Sequence, residues 1–396
     1  MRHRIGNIVI CMVLAVCCFL TGCTTGKTEK ANKEEALMIP DFIVEVEDGR
    51  NPVILQLTDP QILDAAQQRV PNRISNSQAI YYATKRMEAN CFKYIRETIE
   101  ATNPDLIIMT GDLVYGEFDD SGESLLALIE FMESFDIPWA PVFGNHDNES
   151  KKGADWQSAR LEEAKNCLFK QRTLTGNGNY TVGIKQNGEL KRVFFMLDSN
   201  GCSATSEESK ANGHTFSSVG FGKDQIDWYT ETAQSITTLS PATKLSFAFH
   251  IQPAIFAEIG QRYGFNGGAN PVEPVDIDAL ENKTSGDFGY IGANLKSAWD
   301  HDGTVWNGLK ALGVDSIFVG HEHCNSASIV YEGVRLQFGQ KSSTYDRVNY
   351  LKKDGSIIGS YPPFSGTPLV GGTVMPLSQE DGSICDPYIY MCKGKK

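Results

Sequence analysis

The sequence predicts an α/β fold, α+β in the broad sense, and three observations point to it. Short apolar runs rich in strand formers, Val53-Ile54-Leu55-Gln56-Leu57-Thr58, Leu106-Ile107-Ile108-Met109-Thr110 and Trp139-Ala140-Pro141-Val142-Phe143, recur along the chain. Segments with apolar residues at helical spacing separate them, an order that favours parallel pairing through crossover helices. Each run stops at a polar group, and open α/β sheets build their sites at that carboxyl edge.

The 396 residues begin with a segment that does not belong to the fold. Arg2 and Arg4 precede thirteen apolar residues, Ile8 to Leu20, the length of a signal-peptide core and short for a bilayer span. Leu20-Thr21-Gly22-Cys23 follows, small residues before a cysteine as in a bacterial lipobox. Residues 1–22 are therefore read as a lipoprotein signal peptide, with Cys23 as the lipidated first residue of the mature chain. Residues 23–40, almost without apolar side chains, read as a flexible tether. Residues 41–396 read as a single domain. The expected location is the bacterial cell envelope, outside the cytoplasmic membrane and held there by lipid on Cys23.

Within the domain, residues 53–58 read as a buried strand and 78–101 as a helix carrying Ile80, Met87, Cys91, Phe92, Ile95 and Ile99 on one face. Strand 106–110 follows, then helix 121–135 with Leu125, Leu128, Ile129 and Met132, then strand 139–143. A helix over 156–171 and a strand pair at 180–184 and 193–197 come next. Helix 223–236, strand 244–249, helix 305–312 and strand 316–319 continue the pattern. Residues 329–331 and 334–338 form a hairpin around Glu332-Gly333, and Asp354-Gly355 signals a late turn. Residues 199–222 and 253–302 are long polar connections. The second carries Arg262, Tyr263, Phe265, Phe288, Tyr290, Trp299 and His301, either an aromatic lid or a self-packed insertion.

A composition of 41% hydrophobic and 21% charged residues suits a large core, and a net charge of −13 argues against nucleic acid as a partner. An acidic chain acting on phosphate needs a local source of positive charge. Of the ten cysteines, Cys91, Cys167, Cys202, Cys324, Cys385 and Cys392 lie beyond the signal and lipobox without CxxC spacing, which argues against a zinc cluster. Cys385 and Cys392 are near enough in sequence to close a small loop, or to stay as free thiols.

Five strands end in ligand-type residues: Asp59 with Gln61, Asp112, Asn145 with His146, His250, and His321 with His323. Four of the six histidines outside the signal lie at such edges, more than backbone-bonded core histidines explain. Carboxylates and imidazoles suit Mn, Fe or Zn. A carboxylate shared by two ions holds them roughly 3.5–4 Å apart, the spacing that clamps an in-line displacement and activates water between them.

Asp59-Pro60-Gln61, Gly111-Asp112, Gly144-Asn145-His146-Asp147, Phe249-His250-Ile251 and Gly320-His321-Glu322-His323, in this order, resemble the calcineurin-like metallophosphoesterase family. Within it they resemble the purple acid phosphatase-like branch, as Gly178-Asn179-Tyr180 also does. The resemblance implies two packed mixed sheets flanked by helices, a four-layer sandwich. It implies two divalent or trivalent ions, Mn, Fe or Zn. Asp59, Gln61, Asp112 and His323 would hold the first, and Asp112, Asn145, His250 and His321 the second. It implies phosphate-ester hydrolysis by a metal-activated hydroxide. Asn145 would stabilise the phosphoryl oxygens, His146 would protonate the leaving oxygen and Asp147 would orient His146. Gln61 departs from the histidine common at that position. The other reading is a metal-containing surface module that binds phosphorylated ligands without turnover.

Overall fold

A computed structural model describes residues 40–67, 85–201, 220–263, 275–291, 299–343, 350–351, 367–368 and 370–392. The signal segment, Cys23, the tether up to residue 39, the 78–84 start of the expected first helix with Ile80, Cys202, Phe265 and the Asp354-Gly355 turn lie outside the described residues. The strands are β1 (Phe42–Glu45), β2 (Val53–Leu57), β3 (Leu106–Thr110), β4 (Trp139–Val142), β5 (Tyr180–Gln186), β6 (Glu189–Met196), β7 (Lys244–Ala248) and β8 (Val275–Asp276). They continue as β9 (Phe288–Ile291), β10 (Val314–Val319), β11 (Asn325–Tyr331), β12 (Val334–Phe338), β13 (Tyr350–Leu351), β14 (Thr367–Pro368), β15 (Gly371–Pro376) and β16 (Tyr388–Met391). Six helices accompany them among the described residues: α1 (Lys85–Thr102), α2 (Glu123–Glu133), α3 (Ala154–Glu163), α4 (Lys223–Leu239), α5 (Ile255–Arg262) and α6 (Thr304–Ala311).

The strands form two mixed sheets and one short pair. The larger sheet runs β1-β5-β6-β7-β10-β12-β11-β9-β8, the smaller β16-β15-β2-β3-β4, and β13 pairs with β14. In the smaller sheet β2, β3 and β4 are parallel, as the alternating pattern requires. In the larger sheet β6, β7, β10 and β12 are parallel. Each set therefore ends at a common carboxyl edge.

The period-two alternation of a strand sorts its residues into two cores. Phe194 and Met196 of β6 pack with β2, β3, β4 and the apolar faces of α1 and α2. Val193, Phe195 and Leu197 face the other way, among Trp228, Tyr229 and Ile236 of α4, Phe256 of α5 and Trp306 of α6. The Phe195 ring stacks on Phe247 with centroids 4.6 Å apart. The layers are thus helices, larger sheet, smaller sheet, helices. Among the described residues no helix is long and apolar enough to cross a membrane.

A polar seam joins the two sheets inside this core. Gln56 of β2 donates to Thr110 Oγ1 and to the Val319 carbonyl of β10, both at 3.0 Å, and Gln337 of β12 donates to Gln56 Oε1 at 2.8 Å. Tyr180 OH donates to the Pro141 carbonyl at 2.6 Å. Buried polar groups with such partners fix how two layers align.

Several elements differ from the sequence expectation. The helix expected over 156–171 stops at Glu163, because the following segment is drawn alongside β4: Trp139 N donates to the Asn166 carbonyl and Leu168 N to the Trp139 carbonyl. The hairpin is longer than expected, with β11 starting at Asn325. The 253–302 connection contains α5 and β9, and Trp299 packs inside against Phe221 and Phe249, so that residue is core and not lid. Cys385 and Cys392 are both free thiols; Cys392 Sγ lies 3.2 Å from Thr98 Oγ1 on α1.

Candidate metal centre

The carboxyl edges of the two parallel sets meet. Asp59, Asp112 and Asn145 stand two or three residues beyond β2, β3 and β4, and His250 and His321 two residues beyond β7 and β10. The edges are laced together by a bridge between Thr58 and Lys341 and by a Ser342 N–H donated to the Thr58 carbonyl.

The turns that deliver these side chains are tight. Asp59, Gln61, Asp112 and His321 all have positive φ, between 47° and 70°. Side-chain-bearing residues avoid that region and tend to occupy it where function demands it. Room is made by glycines: a Cβ at Gly144 would lie 2.3 Å from Asp112 Oδ1, and one at Gly320 2.8 Å from Asp59 Oδ2.

Asp59, Asp112 and His250 are buried and bring one ligand atom each within 4.8 Å of one another. His250 Nε2 lies 3.2 Å from Asp112 Oδ1 and 3.1 Å from Asn145 Oδ1. Its other nitrogen, Nδ1, is 2.8 Å from the Thr110 carbonyl. A carbonyl only accepts, so Nδ1 carries the proton and Nε2 is the atom turned to the cluster, the usual support of a metal-ligating imidazole. The His321 ring stands edge-on to His250 with centroids 5.1 Å apart. On the other side, His323 Nε2 lies 3.2 Å from Asp59 Oδ1, while Asp59 Oδ2 accepts from Thr58 Oγ1 and His321 N.

The electrostatics suit a cation. Burial alone would raise the Asp59 carboxyl, but the charge and hydrogen bond of His323 hold it below the usual range. Burial would raise Asp112 as well, and the charges of His250 and His146 hold it well below. Burial and the neighbouring His250 charge push His321 down to about 3, which leaves a neutral imidazole with its lone pair. Two ionised buried carboxylates and a neutral imidazole form a donor set that fits a first-row divalent ion. Asp112 sits between the two halves, with Asp59 and His323 on one side and Asn145, His250 and His321 on the other.

His250 makes ion binding sensitive to pH. Burial would push its imidazole down, but the adjoining Asp112 carboxylate overrides this and pushes it up to about 10. A ligating Nε2 must give up that proton. Ion affinity is therefore expected to fall as pH drops below about 10, by up to roughly tenfold per unit, with about one proton released per ion. Titration calorimetry in two buffers of different ionisation heat checks this; no proton release would contradict it.

His146 lies at the rim. Its Nε2 is 4.0 Å from Asp112 Oδ2, its backbone N–H donates to Asp112 Oδ1 at 2.9 Å, and its ring stacks on Tyr115 with centroids 4.4 Å apart. The carboxylate on its Nδ1 is Glu149, with Oε2 at 2.7 Å. The sequence expectation assigned that task to Asp147, and the geometry corrects it. Asp147 is turned away, its Oδ1 accepting from Val114 N at 3.0 Å and its Oδ2 from Gly144 N at 2.6 Å. The turn over Asp147–Glu149 explains the exchange, since it carries the residue three beyond His146 back over the ring. Asp147→Asn would set an amide NH2 against one of those backbone donors. It is expected to cost about 1–3 kcal/mol of stability in a thermal melt and to leave the leaving-group dependence of turnover unchanged.

Gln61 is inside the cluster, but its amide oxygen faces Lys341 Nζ at 2.9 Å and its Nε2 donates to Asp112 Oδ2 at 3.2 Å. The expectation that Gln61 offers an oxygen to an ion is not met by this geometry. Glu149, Tyr115 and Lys341 were missed from sequence. Lys341 had one available signal, as a polar residue following the apolar β12 run just as the ligands follow theirs.

The chain is 25% identical over 301 residues, 72% of its length and 70% of the relative's, to probable inactive purple acid phosphatase 29 of Arabidopsis thaliana. It is 32% identical over 284 residues, 67% and 66% of the two lengths, to probable inactive purple acid phosphatase 14 of the same plant. Phosphatase DCR2 of Saccharomyces cerevisiae is 24% identical over 59% of this chain, which spans only 38% of that phosphatase. The calcineurin-like phosphoesterase family model matches residues 52–325. Because that match runs from the start of β2 to the start of β11 and takes in every strand end described above, the chain belongs to the calcineurin-like phosphoesterase family.

Proposed function

We propose that the chain is a working metal-dependent phosphoesterase and not an inactive relative. One observation carries the reading: His146 stands at the rim of the cluster as a proton donor, with Glu149 on Nδ1, Tyr115 against its face and Nε2 turned to Asp112. A module that only binds phosphate has no use for that arrangement.

The two halves of the cluster, sharing Asp112, would hold two ions of the Mn, Fe or Zn type. Bound there, the ions supply Lewis-acid charge and make water acidic enough to attack phosphorus near neutral pH. The protein's own groups do the rest. Asn145, adjoining His250, holds its amide toward the phosphoryl oxygens. His146 gives its Nε2 proton to the departing oxygen as the ester bond breaks, and the Glu149 carboxylate keeps the ring in place and favours its protonated form before transfer.

The test is hydrolysis of a chromogenic phosphomonoester and diester by the purified chain with added Mn2+. Turnover that a chelator removes and Mn2+ restores is the expected result. Bound metal with no hydrolysis of either ester would instead support the phosphate-binding module, whose lack of turnover is all that the names of the two plant relatives suggest.

The lipobox pattern supports attachment through lipid on Cys23 to the outer side of a bacterial membrane. Metabolic labelling with palmitate that Cys23→Ala abolishes would bear this out, and labelling unaffected by the substitution would refute it.

A further inference from the structure

Lys341 is buried at 1% exposure, just beyond the carboxyl end of β12. Its Nζ donates to the Asp59 carbonyl at 2.8 Å and to Gln61 Oε1 at 2.9 Å. An amide has one accepting end. With the Gln61 oxygen committed to the lysine, its NH2 is left to donate to Asp112 Oδ2. The reversed amide would set NH2 against the ammonium and oxygen against a carboxylate, so Lys341 and Asp112 together dictate the orientation. The Asp59 half of the cluster thus meets an N–H and a cation where a ligand lone pair would be needed. In the His250 half the group that faces Asp112 Oδ1, at 3.2 Å, and Asn145 Oδ1, at 3.1 Å, is His250 Nε2, whose proton a bound ion would replace, whereas the Lys341 ammonium stays beside the other half.

We propose that Lys341 makes the two halves of the centre unequal. The half built on Asp112, Asn145, His250 and His321 holds its ion tightly. The half built on Asp59 and His323 holds its ion weakly, because the lysine ammonium already supplies positive charge there and turns the Gln61 oxygen away. The inference rests on the phosphoesterase reading, since it concerns the same cluster.

The experiment counts ions and does not rely on turnover. The purified chain is stripped with a chelator, titrated with Mn2+ by calorimetry, and assayed for metal after desalting. Wild type is expected to keep one ion per chain, with a second phase weaker by roughly a hundredfold, the scale of one unit charge a few ångströms away under partial screening. Asp59→Asn should remove the weak phase and spare the tight one. Lys341→Met and Lys341→Gln, the latter keeping a donor for Gln61 without the charge, should tighten the weak phase by one to two orders of magnitude, so that two ions survive desalting.

Two equally tight ions in wild type would overturn the proposal, and so would a weak phase unchanged within threefold in both lysine variants. Loss of the tight ion in Asp59→Asn would overturn the assignment of the halves. If neither lysine variant folds, the wild-type count still decides. A wild type that binds no Mn2+ at all would sink the phosphoesterase reading along with this one, an outcome distinct from any of the others.

Discussion

Asp112→Asn is expected to leave the purified chain without retained metal and to lower phosphate-ester hydrolysis by roughly a thousandfold or more. Asp112 is the carboxylate placed between the two halves of the cluster, with Oδ1 near His250 and Oδ2 near Gln61 and, at 4.0 Å, near His146. The asparagine keeps the size and can still accept the His146 backbone N–H, so folding should survive. It removes the one negative charge common to both halves. Lewis-acid stabilisation is worth several kcal/mol, and each 1.36 kcal/mol is about one decade in rate, which sets the expected fall. Metal analysis and initial rates on one preparation check it. An Asp112→Asn chain that keeps its metal would show that the cluster is not organised around this carboxylate.

His146→Ala is expected to do the opposite to metal and nearly as much to rate. No ligand is lost, so the metal content should match wild type. Turnover should fall by roughly 10²–10⁴-fold on esters whose leaving alcohol is a weak acid, the range of general acid catalysis. On a nitrophenyl ester, whose leaving group needs little protonation, the fall should be much smaller. Glu149→Gln should show the same leaving-group pattern at lower amplitude, because the neutral amide still meets Nδ1 but favours the protonated ring less. Equal losses on both classes of ester would remove His146 from the role of acid.

The strands that deliver the ligands were legible because burial on both faces forces long apolar runs, and a run that ends abruptly in Asp, Asn or His is conspicuous. Leu106–Thr110 came out residue for residue. Not every strand was legible. β15 carries glycine and proline where pattern recognition wants β-branched residues and is held by pairing along β2, and the outer β16 pairs in turn with β15. The positions of Asp59, Asp112, Asn145, His250, His321 and His323 at one edge could be anticipated from strand ends alone. The partner of His146 could not: Asp147 and Glu149 are both carboxylates close by in sequence, and only the turn decides which one reaches the ring. Lys341 offered only its place after the β12 run, and its burial was hidden for a similar reason. A lysine is usually a surface residue, and nothing short of the lacing of the two sheet edges reveals that this one is buried beside Gln61.

The seam of Gln56, Gln337 and Tyr180 has a consequence far from its own hydrogen bonds. Asp59 and Asp112 ride on one sheet and His250 and His321 on the other, so any shear between the layers changes the separation of Asp112 from His250 directly. The ion cluster is in effect a gauge of how the two layers are registered. Tyr180→Phe, which cuts the tie to Pro141, should loosen ion binding without touching a ligand, and a bound ion should in turn clamp the layers and raise the melting temperature as its concentration rises.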